Sequence, residues 1–127
     1  MKIYIAANYA YDRLPAQDLA RILAAEGHTI TQDWWSKSGQ GLEAAAINDL
    51  AGIDAADAIV MLMDRPREFR GVWVEMGCAL AGGKQVIQIG PYGAACVFSA
   101  HPLVRRVDTV DEVIALLGQP TESAESA

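Results

Sequence analysis

The sequence predicts an α/β fold: a parallel five-stranded sheet with helices on both faces, a three-layer sandwich. Three observations carry this. Strand-like and helix-like segments alternate along the 127 residues. The segment DAIVMLM at 57–63 is an unbroken apolar run, as a strand shows when both its faces are covered. Strands separated by single helices join through right-handed crossovers into a parallel sheet.

The elements follow in order. KIYIAA at 2–7 is apolar and β-branched and reads as a buried strand. Leu14, Leu19, Ile22 and Leu23 repeat at helical spacing over 14–26, and Gly27 is a natural stop. HTITQDW at 28–34 alternates with polar residues and reads as a strand nearer an edge. SKSGQG at 36–41 is a loop. Leu42, Ala46, Ile47, Leu50 and Ile53 mark a helix from Leu42 to about Ala55. After the buried strand at 57–63, DRPREFR is a charged loop, and 71–81 is a helix ended by Gly82-Gly83. QVIQIG at 85–90 is a strand, 91–102 a loop and 103–107 a last short strand. Thr109 and Glu112 fit a capping box that opens a helix ending near Gly118. A single domain over 1–118 is expected, with a small, polar tail at 119–127 expected to be disordered. Domains of this size bury roughly two-thirds of the surface exposed when unfolded.

Composition narrows the function. Sixteen acidic against ten basic residues give a net charge of −6, which repels polyanions, so duplex nucleic acid is not an expected partner. No apolar run approaches the ~20 residues that span a bilayer, and no signal-peptide pattern follows Met1-Lys2, so no membrane association and a cytoplasmic location are expected. Cys78 and Cys96 make neither a disulfide framework nor a zinc site, and His28 and His101 lack metal-ligand spacing. No metal is expected. The loop after the first strand, AANYAYDR, lacks the glycines of a dinucleotide fingerprint or a P-loop, and no G-x-S-x-G is present. No cofactor is expected.

In a parallel α/β sheet, ligands gather beyond the carboxyl ends of the strands. That directs attention to Ala7–Arg13, Asp64–Glu75 and Gly90–His101. Glu75 falls in the first turn or so of its helix, where an acid is favoured by the helix dipole alone; the functional alternative is a carboxylate at the mouth of a cleft. Gly77, Cys78, Ala79, Ala81 and Gly82 read as close packing of that helix on the sheet. Asp49 reads as a solvated helix position, Asp57 as a turn residue and Tyr4 as core. Trp34, Trp35 and Trp73 are core or a platform for a planar base. Arg65, Arg67 and Arg70 form either a solvated face or a phosphate contact.

The combination of KIYIAA, INDLAGIDAADAIVML and RGVWVEMGCALAGGKQVIQIG resembles the nucleoside 2-deoxyribosyltransferase family, which includes the 2′-deoxynucleoside 5′-monophosphate N-hydrolases. The resemblance spans about 2–117, and its most specific element is G-x-x-x-E-x-G-x-A-x-A-x-x-K at 71–84. It implies a flavodoxin-like fold and cleavage of an N-glycosidic bond. It implies Glu75 as nucleophile, Asp49 as the group that protonates or positions the leaving base, and Tyr4 as the residue that orients the nucleophile. It implies a homodimer or larger assembly, with Ser99 the nearest match to a residue that reaches a neighbouring subunit's site. Two features depart from the family pattern. The extra acid before the nucleophile is matched only approximately by Glu68. The glycine- and serine-bearing loop after the first strand is replaced by Ala6-Ala7-Asn8. A phosphate pocket would then draw on Asn8, Arg13, Arg70 and amides near Gly71, with Ala6 and Trp73 also lining the substrate. The expected activity is an N-glycosidase acting on a nucleoside or nucleoside 5′-monophosphate. The alternatives are base exchange by the same first half-reaction, a non-catalytic nucleotide-binding domain, and cleavage of a dinucleotide.

The chemistry of the residues agrees. Breaking a C1′–N bond builds positive charge on the sugar, which a carboxylate can trap. A second acid must neutralise the departing base, and burial or a neighbouring carboxylate can keep it protonated.

Overall fold

The computed structural model describes residues 1–37, 39–93 and 96–118. The expected tail at 119–127 lies outside them. Five strands, β1 (Lys2–Ala6), β2 (Thr29–Ile30), β3 (Ala58–Leu62), β4 (Gln85–Ile89) and β5 (Val104–Val107), pair in parallel in the order β2-β1-β3-β4-β5. The helices are α1 (Arg13–Ala25), α2 (Leu42–Ala55), α3 (Arg70–Ala81) and α4 (Val110–Leu117). The chain runs one way from β1 to β2 and the other from β3 onward. Right-handed crossovers therefore place α1 on one face and α2 and α3 on the other. This is the flavodoxin-like order, with its switch point between β1 and β3. Among the described residues no helix is long and apolar enough to cross a membrane.

The core is built on β1, β3 and β4. Every residue of β3 is buried, as its unbroken apolar run predicts. On α1 the buried stripe is Ala16, Leu19, Ala20 and Leu23, whereas Leu14 and Ile22 face solvent. The inward face of α1 is thus lined partly by small residues, which let the helix approach the sheet. Thr109 caps α4 by accepting from the Glu112 N–H at 3.2 Å, and the Glu112 carboxylate accepts from the Asp108 N–H at 3.2 Å. The box is closed one residue earlier than its usual form.

One expectation is corrected. The second strand, predicted over 28–34, holds only two residues. The parallel ladder runs from the Thr29 and Thr31 N–H groups to the Met1 and Ile3 carbonyls. Its next acceptor, the Ile5 carbonyl, is taken at 2.8 Å by the indole N–H of Trp34, and the chain turns into a 3₁₀ segment over Trp34–Ser36. The stripe on α2 is helical as predicted, and its residues differ in exposure. Ile53 is buried, while Leu42, Ile47 and Leu50 are 90%, 61% and 50% exposed.

Lys84, the last position of the G-x-x-x-E-x-G-x-A-x-A-x-x-K pattern, has a structural role. Its ammonium donates at 2.6 Å to the carbonyls of both Asp54 and Ala56. These acceptors lie at the end of α2, where a cation suits the helix dipole.

Candidate active site

Tyr4 stands in the middle of β1, fully buried, beneath α2 and α3. Its hydroxyl donates to the Glu75 carboxylate on α3. Burial and the carboxylates of Glu75 and Asp49 hold the hydroxyl far above its ordinary ionisation range, so it remains a donor. The Tyr4 ring fills the interior while its hydroxyl reaches Glu75.

Glu75 is the sixth residue of α3, so it lies in the second turn and not the first. The dipole effect fades within the first turn and does not account for an acid here. Burial pushes the Glu75 carboxyl up to about 7, the Tyr4 hydrogen bond opposes the shift, and the Asp49 charge adds to it. Asp49 projects from α2, half-buried, and burial raises its carboxyl too. The structure thus brings Tyr4, Glu75 and Asp49 together from β1, α3 and α2. Two carboxylates whose ionisation is raised, one acting on the other, are candidates for acid–base chemistry.

Gly52 explains how α2 comes so near. A side-chain carbon there would lie 2.7 Å from Cβ of Gln32 and 3.1 Å from the Tyr4 ring. By contrast, a carbon added at Gly77 would meet nothing within 4 Å, so close packing on the sheet does not account for Gly77.

Some of the remaining candidates lie at the amino end of α3. A cleft of about 230 Å³ opens there, lined by residues of 7–10 and 68–72, including Asn8, Arg70 and Gly71. It lies one turn before Glu75 and does not include the three central side chains. Asn8 is fully engaged: its carbonyl accepts from the Ala10 and Tyr11 N–H groups at 3.0 Å, and its amide donates to the Glu68 carbonyl at 2.9 Å. It ties the β1–α1 loop to the β3–α3 loop. A second tie joins Arg67 to the buried Asp12 at 3.4 Å. Arg13 points elsewhere, donating to the Trp35 carbonyl at 2.7 Å with its guanidinium 5.4 Å from the Tyr9 ring centre. Arg70 is exposed and pairs with the equally exposed Glu68 at 3.2 Å, a weak contact that leaves it free to swing. Gly71 is exposed in the first turn of α3, and Ala6 is buried at the end of β1. Trp73 is half-buried, edge-on to Phe69, and a side chain at Gly93 would collide with its ring. Ser99 sits on a 3₁₀ segment over Val97–Ala100, and its hydroxyl has no hydrogen-bond partner among the described residues.

Two residues near Asp49 escaped the sequence reading. Gln32 donates to Asp49 and accepts from Lys37. The rule that pointed to the loops after β1, β3 and β4 applies equally after β2, where Gln32 lies. Among the described residues no group of three or more His, Cys, Asp or Glu side chains could hold a metal ion.

No curated protein is matched by the sequence. Solved structures share the fold. The CMP N-glycosidase BcmB of Clostridium botulinum superposes with a TM-score of 0.68 at 19% identity, covering 92% of this chain and 98% of that one. The 2-deoxyribosyltransferase of Bacillus psychrosaccharolyticus gives 0.69 at 18% identity, covering 97% and 95%. The family model for nucleoside 2-deoxyribosyltransferases matches residues 3–101, and the chain belongs to that family of enzymes.

Proposed function

We propose that the protein is an N-glycosidase that cleaves the base–sugar bond of a nucleoside or nucleoside 5′-monophosphate. Glu75 is the nucleophile, Asp49 the proton donor to the departing base, and Tyr4 the residue that orients Glu75. The observation that carries this reading is the convergence of the Tyr4 hydroxyl and the Asp49 charge on one half-buried carboxylate. In the first step the C1′–N bond breaks and its electron pair goes to the base nitrogen, while a base atom takes the Asp49 proton. An oxygen of Glu75 bonds to C1′. Water then attacks C1′, returns a proton to Asp49 and frees Glu75. A second base in place of water gives exchange.

The test is a panel of ribo- and deoxyribonucleosides and their 5′-monophosphates, with free base read by chromatography and a labelled second base added in parallel. Base release lost in Glu75→Ala supports the reading, and release retained in that variant overturns it. Labelled base appearing in nucleoside assigns exchange instead of hydrolysis.

A 5′-phosphate would enter the cleft at the amino end of α3, where unpaired amides and the dipole favour an anion, with Arg70 as its mobile cation. Arg70→Ala is then expected to raise KM for monophosphates roughly tenfold, the scale of one charge-assisted contact, and to leave nucleosides unchanged. Equal effects on both substrate types would remove Arg70 from the phosphate site.

The same reading makes the enzyme a homodimer or larger. Leu42, Ile47 and Leu50 on α2, with Val74 at 64% exposure on the adjoining α3, present apolar surface that a second copy could cover. Ser99, whose hydroxyl has no hydrogen-bond partner among the described residues, would then serve the neighbouring copy's site. Sedimentation should show a dimer that Ile47→Lys converts to monomer; a monomeric parent protein would refute this assembly.

A further inference from the structure

A chain of polar contacts links Asp49 to the surface. Gln32 is almost wholly buried just beyond β2. Its amide nitrogen donates to Oδ1 of Asp49 at 3.3 Å, and its amide oxygen accepts from the Lys37 ammonium at 2.7 Å. Lys37 is half-buried and also pairs with Asp33 at 3.2 Å.

An amide side chain can present either its oxygen or its NH₂ to a neighbour, and its partners decide which. An ammonium has donors only. The end of Gln32 that meets Lys37 must therefore be the oxygen, and the end that meets Asp49 must be the NH₂. Oδ1 of Asp49 is consequently an acceptor in both of its protonation states. Any proton that Asp49 holds resides on Oδ2.

We propose that Lys37 and Gln32 are positioning residues that confine the transferable proton to one oxygen of Asp49, the oxygen free to meet the departing base. This rests on the reading of Asp49 as proton donor. Without the lysine the amide can rotate and offer its oxygen to Asp49. The proton would then settle on Oδ1, hydrogen-bonded to Gln32 and turned from the substrate. Gln32 and Lys37, from the segment after β2, act on Asp49, and the Asp49 charge in turn acts on Glu75 of α3 and Tyr4 of β1. Burial favours the protonated form of Asp49, while Gln32 and Lys37 oppose it.

Lys37→Met keeps the side-chain stem and removes the charge. Base release would be measured for this variant, for Asp49→Asn and for the double variant. Lys37→Met is expected to lower kcat roughly tenfold with little change in KM, part of what general acid catalysis supplies. In the Asp49→Asn background it is expected to do nothing, because residues acting through one group are not additive. In substrate-free protein, carboxyl carbon NMR should show the Asp49 titration midpoint moving to higher pH in Lys37→Met. Equal losses in both backgrounds, or an unmoved midpoint, would overturn the relay. A wild-type rate in Asp49→Asn would instead overturn Asp49 as proton donor. Absence of base release from every substrate would count against the glycosidase reading, and the NMR midpoint would still decide the relay.

Discussion

Glu75→Gln is expected to lower base release by at least about 10³-fold, because an amide cannot serve as the nucleophile and the loss of a covalent route is seldom recovered by the remaining groups. The substitution is the most conservative available. Glutamine fills the same space, and its carbonyl can still accept from Tyr4. The variant should therefore keep its fold and its affinity for substrate, so that the loss appears in kcat. Tight substrate binding with no turnover supports Glu75 as the reacting group. Turnover near the parent rate would show that the carboxylate is not the nucleophile, whatever the fold relationship.

The same variant should be more stable than the parent above pH 7. Glu75 has its folded-state ionisation raised from 4.5 to about 7, chiefly by burial. Between those values the folded chain holds a proton that the unfolded chain has released. Stability of the parent therefore falls as pH rises through that window and levels off beyond it. The span corresponds to a cost on the order of 3 kcal/mol. Glu75→Gln carries no such cost. The two proteins should melt alike below pH 4.5 and separate by several degrees at pH 8, with the variant higher. Identical melting at both pH values would mean that the carboxylate is better solvated than its place beside the Tyr4 hydroxyl implies. A site that is costly to keep charged when empty is what a catalytic carboxylate in an apolar setting leads one to expect.

Residues differ in how much of this arrangement their type and spacing disclose. The run at 58–62 reads plainly because a strand covered on both faces has no polar positions to confuse it. The stripe Leu42, Ile47, Leu50 and Ile53 reports a helix, yet periodicity reports an apolar face without saying what covers it. Only Ile53 turned out to be covered within the chain. The second strand looked longer than it is because its ending depends on a tertiary bond: Trp34 takes the carbonyl of Ile5 that the ladder would use next. At the site, Glu75 and Asp49 were identified through resemblance more than through pattern. Single acids on helices have too many ordinary explanations, and Tyr4 looks like core because its ring is core. Gln32 and Lys37 were hidden for a different reason. Their contact depends on the irregular turn after β2, and such turns have no periodic signature.

The pH profile should change shape, and not only height, when Asp49 becomes asparagine. On the proposed mechanism, the productive form holds a single proton, on Asp49 with Glu75 ionised. That form disappears at low pH, when both carboxyls are protonated, and again at higher pH, when Asp49 gives up its proton. The profile of kcat/KM is therefore expected to be a bell whose alkaline limb reports Asp49, lifted above the ordinary carboxylate range by burial. Asp49→Asn removes the acid, so the rate should drop roughly 10²-fold or more for bases that must leave protonated. It also removes the charge that helps hold Glu75 up. Only the ionisation of Glu75 then remains in the profile. It should be a single rise to a plateau, with a midpoint below 7 but still above the ordinary 4.5, because burial persists without Asp49. An alkaline limb that survives in Asp49→Asn would assign it to another group, whereas a lower rate with an unchanged bell would make Asp49 a structural neighbour of Glu75 and not its proton donor.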